Sequence, residues 1–141
     1  MEIVNGDSTK LDFLASGSVD VILLDAPCSA TGSRPKPSNE IISEKHTKSY
    51  QKLQRKLISE AVRILASGGH MVYSTCSVVE GENEANRAFI EDKFECMKSV
   101  GCVQYNPFDR PSTTINGLTT VENENMLTDT IGFYAVKFVK E

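Results

Sequence analysis

Cys28 and Cys76 stand 48 residues apart in equivalent local settings. Cys28 follows the run Val19-Asp20-Val21-Ile22-Leu23-Leu24 and lies in Asp25-Ala26-Pro27-Cys28-Ser29. Cys76 follows Gly68-Gly69-His70-Met71-Val72-Tyr73 and lies in Ser74-Thr75-Cys76-Ser77. Both runs read as buried parallel strands with a helical stretch between them. Thiols carried past the ends of neighbouring parallel strands share the carboxyl edge of one sheet, where open α/β sheets bind ligands. A thiolate is a nucleophile; amides at a helix start favour it at Cys76, whereas Glu80 and Glu82 oppose it. The competing reading of Cys76 is a small, inert, buried cysteine, and a second cysteine at an equivalent strand end weighs against it. Asp25 reads as a satisfied structural carboxylate or as an acceptor for a ligand amino group, as carboxylates serve nucleobase amines. Pro27 stiffens the turn that presents Cys28. Asp7 follows an earlier apolar run, where an Asp in Asn-Gly-Asp is also an ordinary turn former.

The elements that must position these residues alternate. Residues 1–5 read as the end of a short strand stopped by Asn5-Gly6-Asp7, and residues 19–24 as a strand. Pro27, Gly32, Pro35 and Pro37 impose an irregular loop. A helix is expected over 47–66, with Tyr50, Leu53, Leu57, Ala61, Ile64 and Leu65 on its apolar face and Ser67-Gly68-Gly69 at its end. A strand over 70–73 follows, then a helix over 82–93 burying Ala85, Ala88, Phe89 and Ile90. A weak strand near 102–105, a long polar loop over 106–130 and a last strand over 133–139 complete the chain. This order predicts an α/β fold with a mainly parallel sheet.

With 141 residues, 40% apolar and 24% charged, the chain reads as one soluble globular domain. No apolar run approaches the roughly 20 residues that span a bilayer, so no membrane partner is expected. No signal peptide is visible at residues 1–5. The four cysteines, spaced 48, 20 and 6, form no CxxC and no metal-ligand set. Free thiols in a reducing compartment are expected, the cytoplasm first and the nucleus second. The net charge of −4 argues against a surface that clamps nucleic acid everywhere. Between Ser33 and Lys56, however, Arg34, Lys36, Lys45, Lys48, Lys52, Arg55 and Lys56 face only Glu40 and Glu44. That strip reads as a solvated helix face or as a phosphate-contacting surface.

The blocks Asp25-Ala26-Pro27-Cys28-Ser29-Ala30-Thr31-Gly32, Tyr73-Ser74-Thr75-Cys76-Ser77 and Glu82-Asn83-Glu84 resemble those of the RNA cytosine-5 methyltransferases of the Nol/Nop/Sun (Fmu-like) family. Ala30 stands where that family usually has Gly. Arg34-Pro35, the stretch from Ser49 to Leu57 and Asp129-Thr130-Ile131-Gly132-Phe133 look most like the sixth Sun-domain subgroup, which methylates a cytosine in the acceptor end of certain tRNAs. The resemblance implies S-adenosylmethionine as cofactor and RNA, tRNA above all, as partner. It implies Cys76 as the nucleophile that adds to cytosine C6. Cys28 would assist product release, and Asp25 would hold the cytosine edge. Asp7 would contact the cofactor adenine, and the loop at Pro27 would lie near the cofactor methyl. DNA cytosine methyltransferases use the cysteine of the Pro-Cys pair instead; the second cysteine selects the RNA class. No metal is implied.

The family's domain opens with a glycine-rich loop after its first strand, and no G-x-G-x-x-G occurs among the nine glycines here. Residues 1–141 therefore read as a single truncated catalytic domain. It would be a partial Rossmann-like class I methyltransferase sheet equivalent to strands 3 to 7, inactive by itself. The strand over 19–24 would then lack a neighbour, its edge covered by residues 1–5 or by self-association. Two other functions compete: a non-catalytic RNA-binding remnant using the basic strip, and a redox pair of Cys28 and Cys76. Acyl transfer by a Cys-His pair is weaker, since His46 and His70 lack a motif.

Overall fold

Strand β1, Val19–Asp25, is built from β-branched and apolar residues and pairs in parallel with β2, Leu65–Thr75. Helix α1, Glu44–Ile64, joins them. The computed structural model describes residues 3–33, 42–105, 112–115, 118–121 and 131–141. A 3₁₀ turn at Glu80–Glu82 leads into helix α2, Glu84–Lys93. Strands β3 (Met97–Tyr105), β4 (Ser112–Ile115), β5 (Leu118–Val121) and β6 (Phe133–Lys140) follow.

Together the strands form one sheet in the order β1-β2-β6-β3-β4-β5. Only β1 and β2 pair in parallel; β6 runs antiparallel between β2 and β3. Strands β1, β2 and β3 thus share a direction, but the expectation of a mainly parallel sheet fails at the level of pairing. The long loop expected over 106–130 contains the antiparallel hairpin pair β4–β5. A further strand over residues 1–5 is not formed by residues 3–5, and Ile3 is 82% exposed. These residues therefore do not cover the free edge of β1, and the described sheet holds no strand before β1.

Ser43 caps α1, its side chain accepting from the His46 amide, and Glu44 and Arg63 complement the helix dipole at the two ends. The helix starts three residues earlier than expected and stops at Ile64, because Leu65 is already extended and belongs to β2. Ser67-Gly68-Gly69 is consequently not a helix end. It is an irregular step within β2, between the pairs Val19–Leu65 and Val21–His70, and Gly68 takes φ +76° there.

The core lies on one face of the sheet. Ile58, Ala61 and Val62 from α1 and Ile90 from α2 pack on Met71, Tyr73, Tyr134, Val136 and Phe138. Of the four residues expected to be buried on α2, Ile90 is buried, Ala85 and Phe89 are half-buried, and Ala88 is exposed. Asn86 is buried instead, because it joins a polar network described below. On the other face, Val21 and Leu23 of β1 are 69% and 72% exposed. Alternation along the strand sends Ile22 and Leu24 to the core and their neighbours to the uncovered side.

Candidate active site

Parallel register brings the two cysteine loops together. Leu24 pairs with Tyr73 and Asp25 with Ser74, so both chains leave the sheet side by side. The Ala26 amide donates to the Ser74 carbonyl, and the Ser74 hydroxyl donates to Asp25 Oδ1 at 2.9 Å. Beyond this point the Cys28 and Cys76 sulfurs stand 3.1 Å apart, both as free thiols and both half-buried. Burial, helped by the contact with Cys76, pushes the Cys28 thiol up to about 12. Amides of Ala30 and Cys76 pull it the other way without prevailing. Cys28 thus stays a neutral thiol at physiological pH, in contact with a second sulfur, and either group of the pair can donate.

The Cys28 loop is tied down on two sides. The Gly32 amide donates to the Cys76 carbonyl at 3.0 Å, and the Gly132 amide donates to the Gly32 carbonyl at 2.8 Å. A side chain on Gly32 would meet the Gly132 backbone, with the Cα only 2.6 Å away. Ala30 takes φ 52°, a left-handed conformation that suits glycine better than alanine.

A buried polar network supports both loops from beneath. Glu82 is fully buried, and its Oε2 accepts from the Ser29 amide and hydroxyl at 3.1 and 3.0 Å. Its Oε1 has no hydrogen-bond partner among the described residues. Asn83 accepts from Thr75 Oγ1 and donates to the Ser77 carbonyl. Asn86 donates to Gln54 Oε1 and to the Tyr73 hydroxyl, while Gln54 Nε2 donates to the Pro27 carbonyl. Thr31 Oγ1 accepts from the Val78 amide, joining the loops directly.

Of the residues singled out from the sequence, Cys28, Cys76, Asp25 and Pro27 meet in this cluster. Asp7 shares no hydrogen bond with it. Its carboxylate is exposed and accepts from the Thr9 amide and hydroxyl, which hold it below the usual carboxylate range. His46 bonds Ser43 at the start of α1. Arg34, Lys36 and Glu40 of the basic strip lie outside the described residues. Sequence reading missed Gln54 and Asn86. A signal existed for Gln54, which sits three and four residues before Leu57 and Ile58, on the buried stripe of α1. Leu53, assigned to that stripe, is 37% exposed. Among the described residues no group of side chains suits a metal ion, and no helix is long and apolar enough to cross a membrane.

Comparison with known proteins bears on this geometry. A human protein named tRNA (cytosine(72)-C(5))-methyltransferase NSUN6 is 37% identical over 151 aligned positions, covering 87% of this chain and 32% of that protein. A Pyrococcus horikoshii tRNA (cytosine(72)-C(5))-methyltransferase is 42% identical over 90 positions, covering 64% of this chain and 23% of that protein. The crystal structure of NSun6 from P. horikoshii with SFG superposes with a TM-score of 0.75 at 32% identity, covering 99% of this chain and 34% of that one. The matched part of the chain thus spans about a quarter to a third of the length of these relatives. Residues 1–137 match the family described as 16S rRNA methyltransferase RsmB/F, and the chain belongs to it.

Proposed function

We propose that the chain carries the cytosine-handling part of an S-adenosylmethionine-dependent RNA cytosine-5 methyltransferase, acting on tRNA through a covalent bond between Cys76 and cytosine C6. The observation that carries this reading is the 3.1 Å thiol pair beside Asp25, in a chain of this family. The tRNA assignment rests on the names of the similar human and archaeal proteins.

S-adenosylmethionine, when bound, supplies a methyl group on a sulfonium. Asp25 and Pro27 suit the methyl-bearing end of that cofactor, since Asp25 Oδ2 bonds none of the described residues. The chain's own residues do the remaining work. Cytosine C5 is a weak nucleophile. Addition of the Cys76 thiolate to C6, with N3 taking a proton near Asp25, moves electron density onto C5. After C5 is methylated, solvent takes the C5 proton, N3 gives up the proton it had taken, and the sulfur–C6 bond breaks to restore the ring. Cys28 is a poor attacking group because burial holds its proton on, and its sulfur lies 3.1 Å from Cys76, within hydrogen-bond reach of the departing thiolate.

The test uses RNA containing 5-azacytidine. Thiolate addition at C6 with protonation of the ring nitrogen leaves no C5 proton to lose, so the adduct persists on a denaturing gel. The parent chain and Cys28→Ala are expected to form it, and Cys76→Ala is not. An adduct that survives Cys76→Ala but needs Cys28 would reverse the assignment. We infer, too, that the 141 residues turn over poorly alone, that the free edge of β1 meets a second copy of the chain, and that the free thiols work in the reducing cytoplasm.

A further inference from the structure

A second feature lies on the outer side of α1, where a cavity of about 570 Å³ is walled by Lys10, Arg55, Lys56, Arg63, Phe89 and Lys93. Among the described residues only Arg63 is neutralised, by Glu60 at 2.7 Å. Lys10, Arg55, Lys56 and Lys93 have no ion-pair partner among the described residues. The neighbouring Asp7 carboxylate feels Lys10 and Lys56 only at a distance. In a chain of net charge −4, four such cations around one hollow run against the overall sign.

Two of these cations are held in place by neutral groups. The Arg55 guanidinium lies 4.7 Å from the centre of the Phe89 ring, and Arg55 Nε donates to Asn86 Oδ1 at 3.2 Å. Lys93 Nζ lies 5.1 Å from the same ring centre and donates to Ser59 Oγ. Phe89 is itself braced edge-on by Phe94 at 6.1 Å. A ring face and a neutral acceptor orient a cation without cancelling its charge. Cations oriented in this way remain available to an external anion.

We propose that this groove binds the phosphodiester backbone of the RNA, as a contact separate from the thiol cluster. The proposal rests on the reading above that the chain acts on RNA. Phosphate groups match the chemistry: they are anionic, repeat along a strand, and pair with Lys and Arg regardless of sequence.

The experiment is fluorescence anisotropy of the chain with a labelled RNA hairpin at several salt concentrations. Each phosphate contacted contributes a slope of roughly −0.7 to −0.9 in log affinity against log salt. The triple variant Lys10→Ala/Lys56→Ala/Lys93→Ala is expected to weaken binding about tenfold or more at low salt and to remove about two of those contacts from the slope. Lys45→Ala/Lys48→Ala/Lys52→Ala removes the same charge from the exposed first half of α1 and is expected to do much less. Equal losses in both variants, an unchanged slope in the first, or no RNA binding by the parent would each overturn the proposal. Reading the 5-azacytidine adduct at saturating RNA separates the two ideas. An adduct with an unchanged slope sinks the groove alone, and a reduced slope without an adduct sinks the cytosine chemistry alone.

Discussion

A thiol whose pKa is raised by burial holds its proton and is a weak nucleophile at neutral pH, and Cys28 meets that description. Its ordinary value is 9.0, and burial pushes it up to about 12. The neutral form is therefore favoured in the folded chain. Its contribution to stability is complete below pH 9.0 and is lost as pH rises toward about 12, where the folded-state thiol finally ionises. The same shift governs reactivity, because alkylation requires the thiolate. Labelling with iodoacetamide, read peptide by peptide in a mass spectrometer, is expected to modify Cys28 negligibly at pH 8 and increasingly above pH 11. Rapid modification of Cys28 at pH 7.5 would contradict the assignment of donor to Cys28 and attacker to Cys76.

Elements act on these residues through register. The parallel pairing of β1 with β2 sets Asp25 beside Ser74 and so carries both cysteine loops off the same edge. Glu82, Asn83, Asn86 and Gln54 then lock the loops to α1 and to the turn before α2. Every buried donor left without an acceptor costs about 1–3 kcal/mol, so the network resists piecemeal loss. The outer edge of β1 is the opposite case. Among the described residues its backbone groups meet no neighbouring strand on that side, and Val21 and Leu23 project from the uncovered face. Strand edges of this kind pair with other chains unless a charge blocks them. Light scattering is expected to report self-association of the parent chain and a shift toward monomer for Val21→Lys/Leu23→Lys. A monodisperse parent monomer would remove the case for a second copy at this edge.

For the molecule as a whole, one covered sheet face contrasts with one bare face. All the helices described pack on the side of Met71, Tyr73 and Val136, leaving the side of Val21 and Leu23 exposed. The thiol cluster is densely hydrogen-bonded at its base, whereas features that hold a nucleoside cofactor are sparse among the described residues. Asp7 is engaged with Thr9 in an exposed turn, and none of the nine glycines falls in a G-x-G-x-x-G loop. Calorimetry with S-adenosylmethionine is therefore expected to detect no binding in the micromolar range for these 141 residues. A micromolar dissociation constant would defeat the inference that the chain turns over poorly alone.

Local patterns were enough to identify β1, α1 and the sites of both thiols, because strand and helix periodicities and the Pro27 turn are properties of neighbouring residues. The cysteine blocks and Glu82-Asn83-Glu84 were legible through resemblance to a family's motifs, which are likewise runs of neighbouring residues. Long-range pairing decided the remainder. Nothing near Phe133–Lys140 encodes its insertion, antiparallel, between β2 and β3; that depends on contacts such as Tyr73 with Val136, far apart in the chain. The rotational phase of α1 put Gln54 inside and Leu53 toward solvent, a choice made by the polar loops Gln54 must satisfy. Proximity of the sulfurs, and with it the raised pKa of Cys28, exists only once those loops are closed by Gly32 and Gly132, since both burial and a 3.1 Å contact are tertiary quantities.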